Sequence, residues 1–113
     1  MIISEYKFGK MKIGEQSFDQ DLIILPDRII SSWWRKEGHF LQLEDFEGFL
    51  DQLPERIIIG TGKYGMMKVA SELSQWLEAR KIKLFIGKTD LAIQEYNNLP
   101  DKSKAIAALH LTC

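Results

Sequence analysis

The chain has 113 residues, of which 45% are hydrophobic and 27% are charged, and its formal net charge is −1. This length and composition fit one ordinary globular domain spanning residues 1–113, because two domains would each lack a sufficient core. The near-neutral charge argues against nucleic acid or an anionic membrane as partner, and the single cysteine excludes a disulfide within one chain.

The first third of the sequence has the pattern of antiparallel strands. Apolar and polar residues alternate over 6–13, with glycines as punctuation, and a short apolar run over 22–25 ends at a Pro-Asp turn. The stretch 28–35 is predicted to be a further strand. Its adjacent indoles, Trp33 and Trp34, would then lie on opposite faces, one in the core and the other either against the second layer or half-exposed beside Gly38-His39.

The middle of the chain changes to helical and buried-strand patterns. Apolar residues recur at helical spacing over 43–53 and stop at Pro54, which predicts a short helix. Residues 57–59 are a run of isoleucines typical of a strand buried on both faces. Residues 66–77 repeat apolar side chains as in an amphipathic helix, which is expected to begin directly after the glycines at 60–65.

The last third predicts a second buried strand over 82–86, a helix capped by Thr89, and a final apolar strand over 105–111. Strand, long helix and strand within about thirty residues form a βαβ unit with parallel strands. The fold class is therefore α/β, with a mixed sheet that contains this unit and an antiparallel β portion from the N-terminal half.

The segment Arg56–Gly65 is the most informative motif, because a strand is followed by glycines spaced G-x-G-x-x-G. Glycine permits a sharp turn and close approach of a ligand, and a following helix start offers free N–H groups to an anion. Parallel strands place this turn and the turn at 87–90 at one edge of the sheet. The predicted ligand-binding residues at that edge are Gly60, Thr61, Gly62, Lys63, Lys88 and Thr89.

Two familiar readings of the glycines fail. A dinucleotide site needs an acidic residue at the end of the second strand, where this chain has Lys88, and it needs a second mononucleotide half that the length excludes. A Walker loop would need glycine at Ile57 and Ser or Thr at Tyr64. The remaining alternatives are a tight structural turn or a pocket for a small anion or metabolite, and no cofactor is predicted.

Catalytic equipment is sparse. His39 and His110 are the only histidines that could act as bases. Cys113 lies three residues beyond His110, and side chains at odd separation on a strand point to opposite faces, so this pair is not expected to cooperate. Asp19 and Asp21 are interpreted as turn residues, and no acidic cluster has a histidine at metal-ligand spacing, so neither catalytic residues nor a metal site are predicted.

Several separated strings together resemble one family. They are Gly9–Ile13, Trp33–Arg35 with Gly38–His39, Ile59–Gly62, the Thr89, Ala92, Tyr96, Asn97 and Leu99 pattern, and the closing His110–Cys113. This set, which covers nearly the whole chain, resembles the adipogenesis-associated Mth-domain proteins. The resemblance implies a three-layer α/β domain of unknown function. Distant relatives include a mitochondrial assembly factor for respiratory complex I, which implies work between proteins.

Gly87-Lys88 before Thr89 departs from the common family pattern. The leading hypothesis is a non-enzymatic cytoplasmic binding or adaptor module with an unknown protein partner, which uses the Gly-rich crevice. The alternative is an enzyme or binder of a phosphorylated or carboxylated metabolite, in which Lys63 or Lys88 stabilises negative charge and His39 is the base. Recognition through an exposed Trp34 or Tyr64 is a third possibility. The cytoplasmic expectation follows from the absence of a secretory-type start or a run of about 20 apolar residues.

Overall fold

The computed structural model describes residues 1–113. It contains ten strands, two α-helices and the short 3-10 helix Leu43–Phe46. In chain order the strands are β1 (Ile3–Lys7), β2 (Lys10–Ile13), β3 (Gln16–Phe18), β4 (Leu22–Ile24), β5 (Ile29–Ile30), β6 (Phe40–Leu41), β7 (Arg56–Thr61), β8 (Lys68–Val69), β9 (Lys83–Gly87) and β10 (Ala105–His110). The helices are α1 (Ser71–Ala79) and α2 (Thr89–Asn97).

A five-stranded mixed sheet of order β5-β4-β10-β7-β9 forms the centre of the molecule. Strands β10, β7 and β9 are mutually parallel, and β4 and β5 add antiparallel strands at one side. The isoleucines 57–59 of β7 and the small apolar residues of β10 are buried, because both faces of these central strands are covered. The predicted α/β class, mixed sheet and βαβ unit β7-α1-β9 are confirmed.

Two apolar cores lie on opposite faces of this sheet and make the three layers. One face packs against α1, the 3-10 helix and Trp33, through side chains such as Ile57, Ile59 and Ile106. The other packs against α2 and the antiparallel sheet β1-β2-β3, through residues such as Ile58. The alternation of side chains along each strand therefore sorts consecutive isoleucines into different cores.

The helix after the glycine turn begins later than the sequence predicts. Residues 62–67 form a loop, and β8 pairs in parallel with β6 before α1 begins at Ser71. Met67 is buried in the core from this loop, although its spacing matches a helical position. The expectation that helical N–H groups follow the glycines directly is wrong.

Three other elements differ from the predicted ones. The strand predicted over 28–35 is only β5, because Ser32 takes a left-handed φ of 54° that ends extended pairing. One of the two indoles, that of Trp33, is nevertheless buried, as predicted, while Trp34 is 77% exposed. The helix predicted over 43–53 is a single 3-10 turn, followed by Gly48 at a φ of 87°. Strand β9 lies at the edge of the sheet and is only partly buried.

Candidate functional site

The turns after β7 and β9 meet at one edge of the central sheet, as the parallel pairing requires. Gly60 lies opposite Gly87 in the register of these strands. The amide of Thr89 donates to the carbonyl of Gly62 at 3.1 Å, so the first turn and the start of α2 are in direct contact. The predicted common edge is therefore present, and we call residues 60–66 with 87–90 the glycine edge.

Several backbone amides of the glycine edge already donate hydrogen bonds within the protein. Gly62 N–H donates to the hydroxyl of Thr89 at 2.9 Å, and Lys63 N–H donates to the carbonyl of Thr112 at 2.7 Å. The amides of Gly65 and Met66 donate to the carbonyls of Gly62 and Cys113, respectively. An anion bound at these four amides would have to displace these bonds, so these four do not form an open cradle in this conformation.

Close packing explains the two buried glycines of this edge. A Cβ on Gly60 would lie 2.8 Å from Thr89 Oγ1 and 3.1 Å from Thr89 Cα. A Cβ on Gly62 would lie 2.7 Å from the backbone carbon of Cys113 and 2.8 Å from His110 Cδ2. Helix α2 and residues 110–113 therefore fill the space directly beside the backbone of these two glycines. The tight structural turn, one of the alternatives left open by the sequence, accounts for both glycines.

The other predicted binding residues lie beside this packed turn. Lys63 Nζ is 3.1 Å from Asp90 Oδ2 and 5.2 Å from the centre of the Tyr6 ring. Burial raises the pKa of Tyr6 to about 12, so its hydroxyl remains a donor to the carbonyl of Leu111 at 2.9 Å. Thr61 is buried at the end of β7, and Lys88 is exposed. Binding of a ligand by these residues stays a prediction.

Thr89 has a different role from the helix cap that the sequence predicts. Lys88 is the N-cap residue of α2, and no side chain caps that helix end. The fully buried hydroxyl of Thr89 instead accepts from Gly62 N–H and donates to the carbonyl of His110 at 2.7 Å. One side chain thus connects α2, β7 and β10.

Replacement of Thr89 by valine, which keeps the shape and removes the hydroxyl, should lower the free energy of unfolding by about 3 kcal/mol. The reason is that Gly62 N–H and the carbonyl of His110 would both lose a buried partner. Urea denaturation followed by tryptophan fluorescence measures the change. Thr112→Val is the matched control, because the Thr112 hydroxyl makes no side-chain hydrogen bond, and an equal loss in both variants would contradict this role.

A buried polar cluster lies next to the glycine edge and joins three distant parts of the chain. Asp21 Oδ2 is 2.7 Å from His110 Nδ1 and 2.7 Å from Arg35 Nη2. The other oxygen of Asp21 accepts from the amide of Leu111 at 2.7 Å. The Arg35 and His110 side chains are only 4% and 5% exposed. The interpretation of Asp21 as a simple turn residue is therefore wrong.

The carboxylate fixes the tautomer of His110. A carboxylate only accepts hydrogen bonds, so the hydrogen of His110 lies on Nδ1 and points to Asp21. Arg35 Nη2, at 3.3 Å from the same nitrogen, is then a packing neighbour, since two donors do not bond. Burial by itself raises the pKa of Asp21, but hydrogen bonds from His110, Leu111 and Arg35 outweigh burial and bring that pKa below its usual value.

A thiol and a second histidine lie against this cluster. Cys113 Sγ is 3.7 Å from His39 Nε2, and the rings of His39 and His110 make an edge contact with their centres 5.5 Å apart. The side chains of His110 and Cys113 make no hydrogen bond to each other, and β10 ends at His110, so Cys113 lies beyond the strand. The histidine that contacts the cysteine is the one 74 residues away.

Sequence reasoning missed Asp21 and Arg35. Both are charged residues next to strongly apolar segments, at the start of β4 and after the two tryptophans. Their position was a signal, since charged side chains close to a core are usually paired. Across the 113 residues, no group of three or more His, Cys, Asp or Glu side chains is arranged to hold a metal ion.

Exposed apolar side chains border the same edge. Phe8, Tyr64 and Met66 are 52%, 64% and 54% exposed, and the rings of Phe8 and Tyr64 have their centres 6.0 Å apart. Gly9 N–H donates to the carbonyl of Leu111, which places the β1-β2 hairpin against the end of β10. We call Phe8, Tyr64 and Met66 the apolar rim.

No helix combines the length and apolar character needed to cross a membrane.

Solved structures from several bacteria and an archaeon share this fold. A conserved hypothetical protein from Pyrococcus horikoshii is 29% identical, with full coverage of both chains and a TM-score of 0.84. A protein described as an outer membrane protein from Bartonella henselae is 24% identical, covers 98% of this chain and 94% of its own, and has a TM-score of 0.79. A Mth938-like domain from Bordetella pertussis is 17% identical over 97% of this chain and 85% of its own, with a TM-score of 0.73.

The match to a sequence family extends over residues 3–110 and so includes the central sheet and both helices. The family is described as "protein of unknown function (DUF498/DUF598)". Together with the Mth938-like fold, this confirms the resemblance to Mth-domain proteins that the separated strings indicate. The chain belongs to the DUF498/DUF598 family and has the α/β fold of the Mth-type domain.

Proposed function

We propose that this protein is a non-enzymatic binding or adaptor module that recognises a segment of another protein at the apolar rim. The observation that carries the proposal is the exposed pair of rings, Phe8 and Tyr64, with Met66 in the same loop as Tyr64. Aromatic and methionine side chains are enriched at protein interfaces, and aromatic rings bury much area at little cost in conformational entropy. The sequence suggests recognition through Tyr64, and the structure adds Phe8 and Met66 to the same exposed surface.

Charges around the apolar rim favour a partner of particular chemistry. Phe8 lies in the turn between Lys7 and Lys10, which are opposite each other in the β1-β2 ladder and exposed. Lys63 and Lys88 flank the other side, and only Lys63 is neutralised by an ion pair, with Asp90. An apolar centre with a cationic border fits a segment that carries an aromatic or aliphatic side chain next to carboxylates.

The glycine edge supports the rim in this proposal. The turn that presents Tyr64 and Lys63 is fixed by internal hydrogen bonds and close contacts. These contacts are made by Gly60, Thr61, Gly62 and Thr89. The recognition groups are side chains above the turn, in place of the open crevice that the sequence suggests. An exposed rim held by a packed turn needs little rearrangement on binding.

Binding to short peptides tests the proposal. Fluorescence polarisation would compare labelled peptides in which an aromatic residue is next to glutamates with matched peptides in which lysines replace the glutamates. We expect the acidic peptides to bind, and Phe8→Ala or Tyr64→Ala to weaken binding about tenfold. Leu53→Ala is the matched control, because Leu53 is 52% exposed, like Phe8, but precedes the opposite end of β7.

Equal binding of the basic peptides, or an equal effect of Leu53→Ala, would contradict the proposal. The alternative, an anionic metabolite at Lys63 and Lys88, is supported by the absence of an ion pair at Lys88 and opposed by the engaged amides. A thermal-shift screen with phosphate, nucleotides and organic acids separates the two. A rise in melting temperature that Lys88→Ala abolishes would favour the metabolite.

A further inference from the structure

A cavity of about 470 Å³ lies at the end of the parallel strands opposite the glycine edge. Five of the residues that line it are cationic, namely Arg56, Arg80, Lys81, Lys83 and Lys104. They come from the starts of β7 and β9, the turn after α1 and the residue before β10. We call this space the cationic cavity, and its positive charge contrasts with the formal net charge of −1 of the whole chain.

Two of the five cations already have partners within the protein. Lys104 Nζ is 3.3 Å from Glu55 Oε1, and Glu55 is one of two carboxylates that line the cavity. The Arg80 guanidinium lies 3.6 Å from the centre of the Trp76 ring, and it donates to the carbonyl of Trp76 at 3.0 Å. These two cations are therefore held by the protein itself.

The other three cations of the cavity have no anionic partner. Arg56, Lys81 and Lys83 make no ion pair. The second lining carboxylate, Asp101, accepts from the amide and the hydroxyl of Ser103, at 2.9 Å and 2.6 Å. The five cations exceed the two carboxylates by three, so the cavity has a net positive charge.

The backbone places two of the unpaired cations side by side. Arg56 of β7 is aligned with Lys83 of β9 in the parallel ladder, so their side chains leave the same face of the sheet. Lys83 N–H donates to the carbonyl of Glu55 at 3.0 Å, which holds the two strand starts together. Like charges next to each other on adjacent strands are destabilising. An anion bound between the two side chains would replace this repulsion by attraction.

The third unpaired cation is positioned by the turn between α1 and β9. Lys81 has a left-handed φ of 59°, and its amide donates to the carbonyl of Glu78 at 3.0 Å. The next amide, of Ile82, donates to the carbonyl of Leu77 at 3.1 Å. These bonds fix the backbone from which the Lys81 side chain reaches the cavity.

The negative end of helix α2 borders the cavity at Leu99, where its carbonyls would disfavour an anion. Lys102 Nζ covers these carbonyls, at 3.3 Å from the oxygen of Asn97 and 3.2 Å from that of Leu99. The protein thus neutralises this helix end internally.

The remaining lining residues limit the class of ligand. No aromatic side chain lines the cationic cavity, so a nucleobase would have no ring on which to stack. Arginine and lysine are common ligands of phosphate groups. A phosphate group carries about −1.5 to −2 charges at neutral pH, so two such groups balance three cations.

We propose that the cationic cavity binds a compact ligand with at least two phosphate groups, either an inorganic oligophosphate or a sugar bisphosphate. Arg56 and Lys83 share one phosphate, and Lys81 binds the second. The inference does not rest on recognition of a protein segment at the apolar rim. It also differs from the metabolite alternative at Lys63 and Lys88, which follow the other ends of β7 and β9.

Thermal unfolding with inorganic tripolyphosphate and with glucose 1,6-bisphosphate tests the inference. At millimolar concentration at least one probe should raise the melting temperature by about 5 °C more than sodium chloride of the same ionic strength, because the ligand binds only the folded state. Isothermal titration calorimetry should find one site per chain. The probe with the lower Kd identifies the source of the phosphate groups.

The variant Lys83→Gln tests the location of the site. Its Kd for the better probe should rise about tenfold, and Arg56→Gln should behave in the same way. Lys88→Gln is the matched control, because Lys88 is exposed, makes no ion pair and lies at the other end of β9, and its Kd should equal that of the wild type. Without ligand, Lys83→Gln should melt no lower than the wild type, because its repulsion with Arg56 is removed.

Four results would overturn the inference. The first is a rise in melting temperature no larger than that with sodium chloride, and the second is an equal rise with citrate, which carries no phosphate. The third is a loss of affinity in Lys88→Gln with none in Lys83→Gln, which would place the anion at the glycine edge. The fourth is a ligand-free Lys83→Gln that melts more than about 3 °C below the wild type, which would show that Lys83 stabilises the fold by itself.

Discussion

Asp21→Asn should lower the free energy of unfolding by about 3 kcal/mol at neutral pH. The carboxylate of Asp21 is the shared partner of the buried Arg35 guanidinium and of His110, at 2.7 Å from each. Its removal leaves the Arg35 charge in a site that is 4% exposed, with no compensating anion among the observed contacts. Loss of one member of a buried ion pair costs more than the pair contributes.

The same variant should change how stability depends on pH. The pKa of Asp21 is below its usual value of 3.8 in the folded protein, so the unfolded chain takes up the proton first as the pH falls. Stabilisation by the carboxylate is fully present above that usual value and is lost as the pH falls through the folded pKa. The difference between wild type and Asp21→Asn should therefore shrink below about pH 4.

Urea denaturation at a series of pH values measures both effects. Asp19→Asn is the matched control, because Asp19 is exposed and makes no ion pair, and its variant should stay within about 0.5 kcal/mol of the wild type. A difference between Asp21→Asn and wild type that is constant from neutral to strongly acid pH would contradict the ion-pair account.

The elements that the sequence predicts well are those in which local pattern and burial agree. The isoleucines 57–59 and the small apolar residues 105–110 read as fully covered strands, and they are the central parallel pair. The alternation over 6–13 corresponds to the β1-β2 hairpin. In each case the pattern of apolar and polar residues along the strand reflects which of its faces are buried, and this pattern can be read from the segment itself.

The elements that differ are those in which tertiary contacts override the local pattern. Met67 has helical spacing but enters the core from a loop, because β8 pairs with β6 before α1 begins. The strand predicted through Trp33 is ended by the left-handed Ser32, and the indole NH of Trp33 donates to the carbonyl of Asp45. The spacing of hydrophobic residues reveals neither which distant strand a segment pairs with nor whether a residue has a positive φ angle.

In the candidate site, too, some features follow from the local sequence pattern and others depend on tertiary contacts. The meeting of the turns at Gly60–Gly65 and Gly87–Asp90 follows from parallel strands alone, and the structure has it. The filling of that edge by Thr89 and the residues after His110 depends on close contacts between distant segments. The approach of Asp21, Arg35 and His39 to His110 needs three separated segments to be placed in space, which no spacing rule provides.

Gly62→Ala should be the other severe substitution, with a loss of about 4 kcal/mol in the free energy of unfolding. Gly62 has a φ of 107°, which side chains rarely tolerate. Its added Cβ would also lie 2.7 Å from the backbone carbon and oxygen of Cys113. Because backbone atoms move less readily than side-chain ends, residues 110–113 would have to shift.

Gly14→Ala separates the effect of backbone strain at a positive φ from the effect of a steric clash of the added Cβ. Gly14 has a φ of 60°, and a Cβ there would meet nothing within 4 Å, so its variant should lose only about 1 kcal/mol. Equal losses of stability in the two glycine variants would show that backbone strain alone acts at Gly62, and that residues 110–113 are not packed against it.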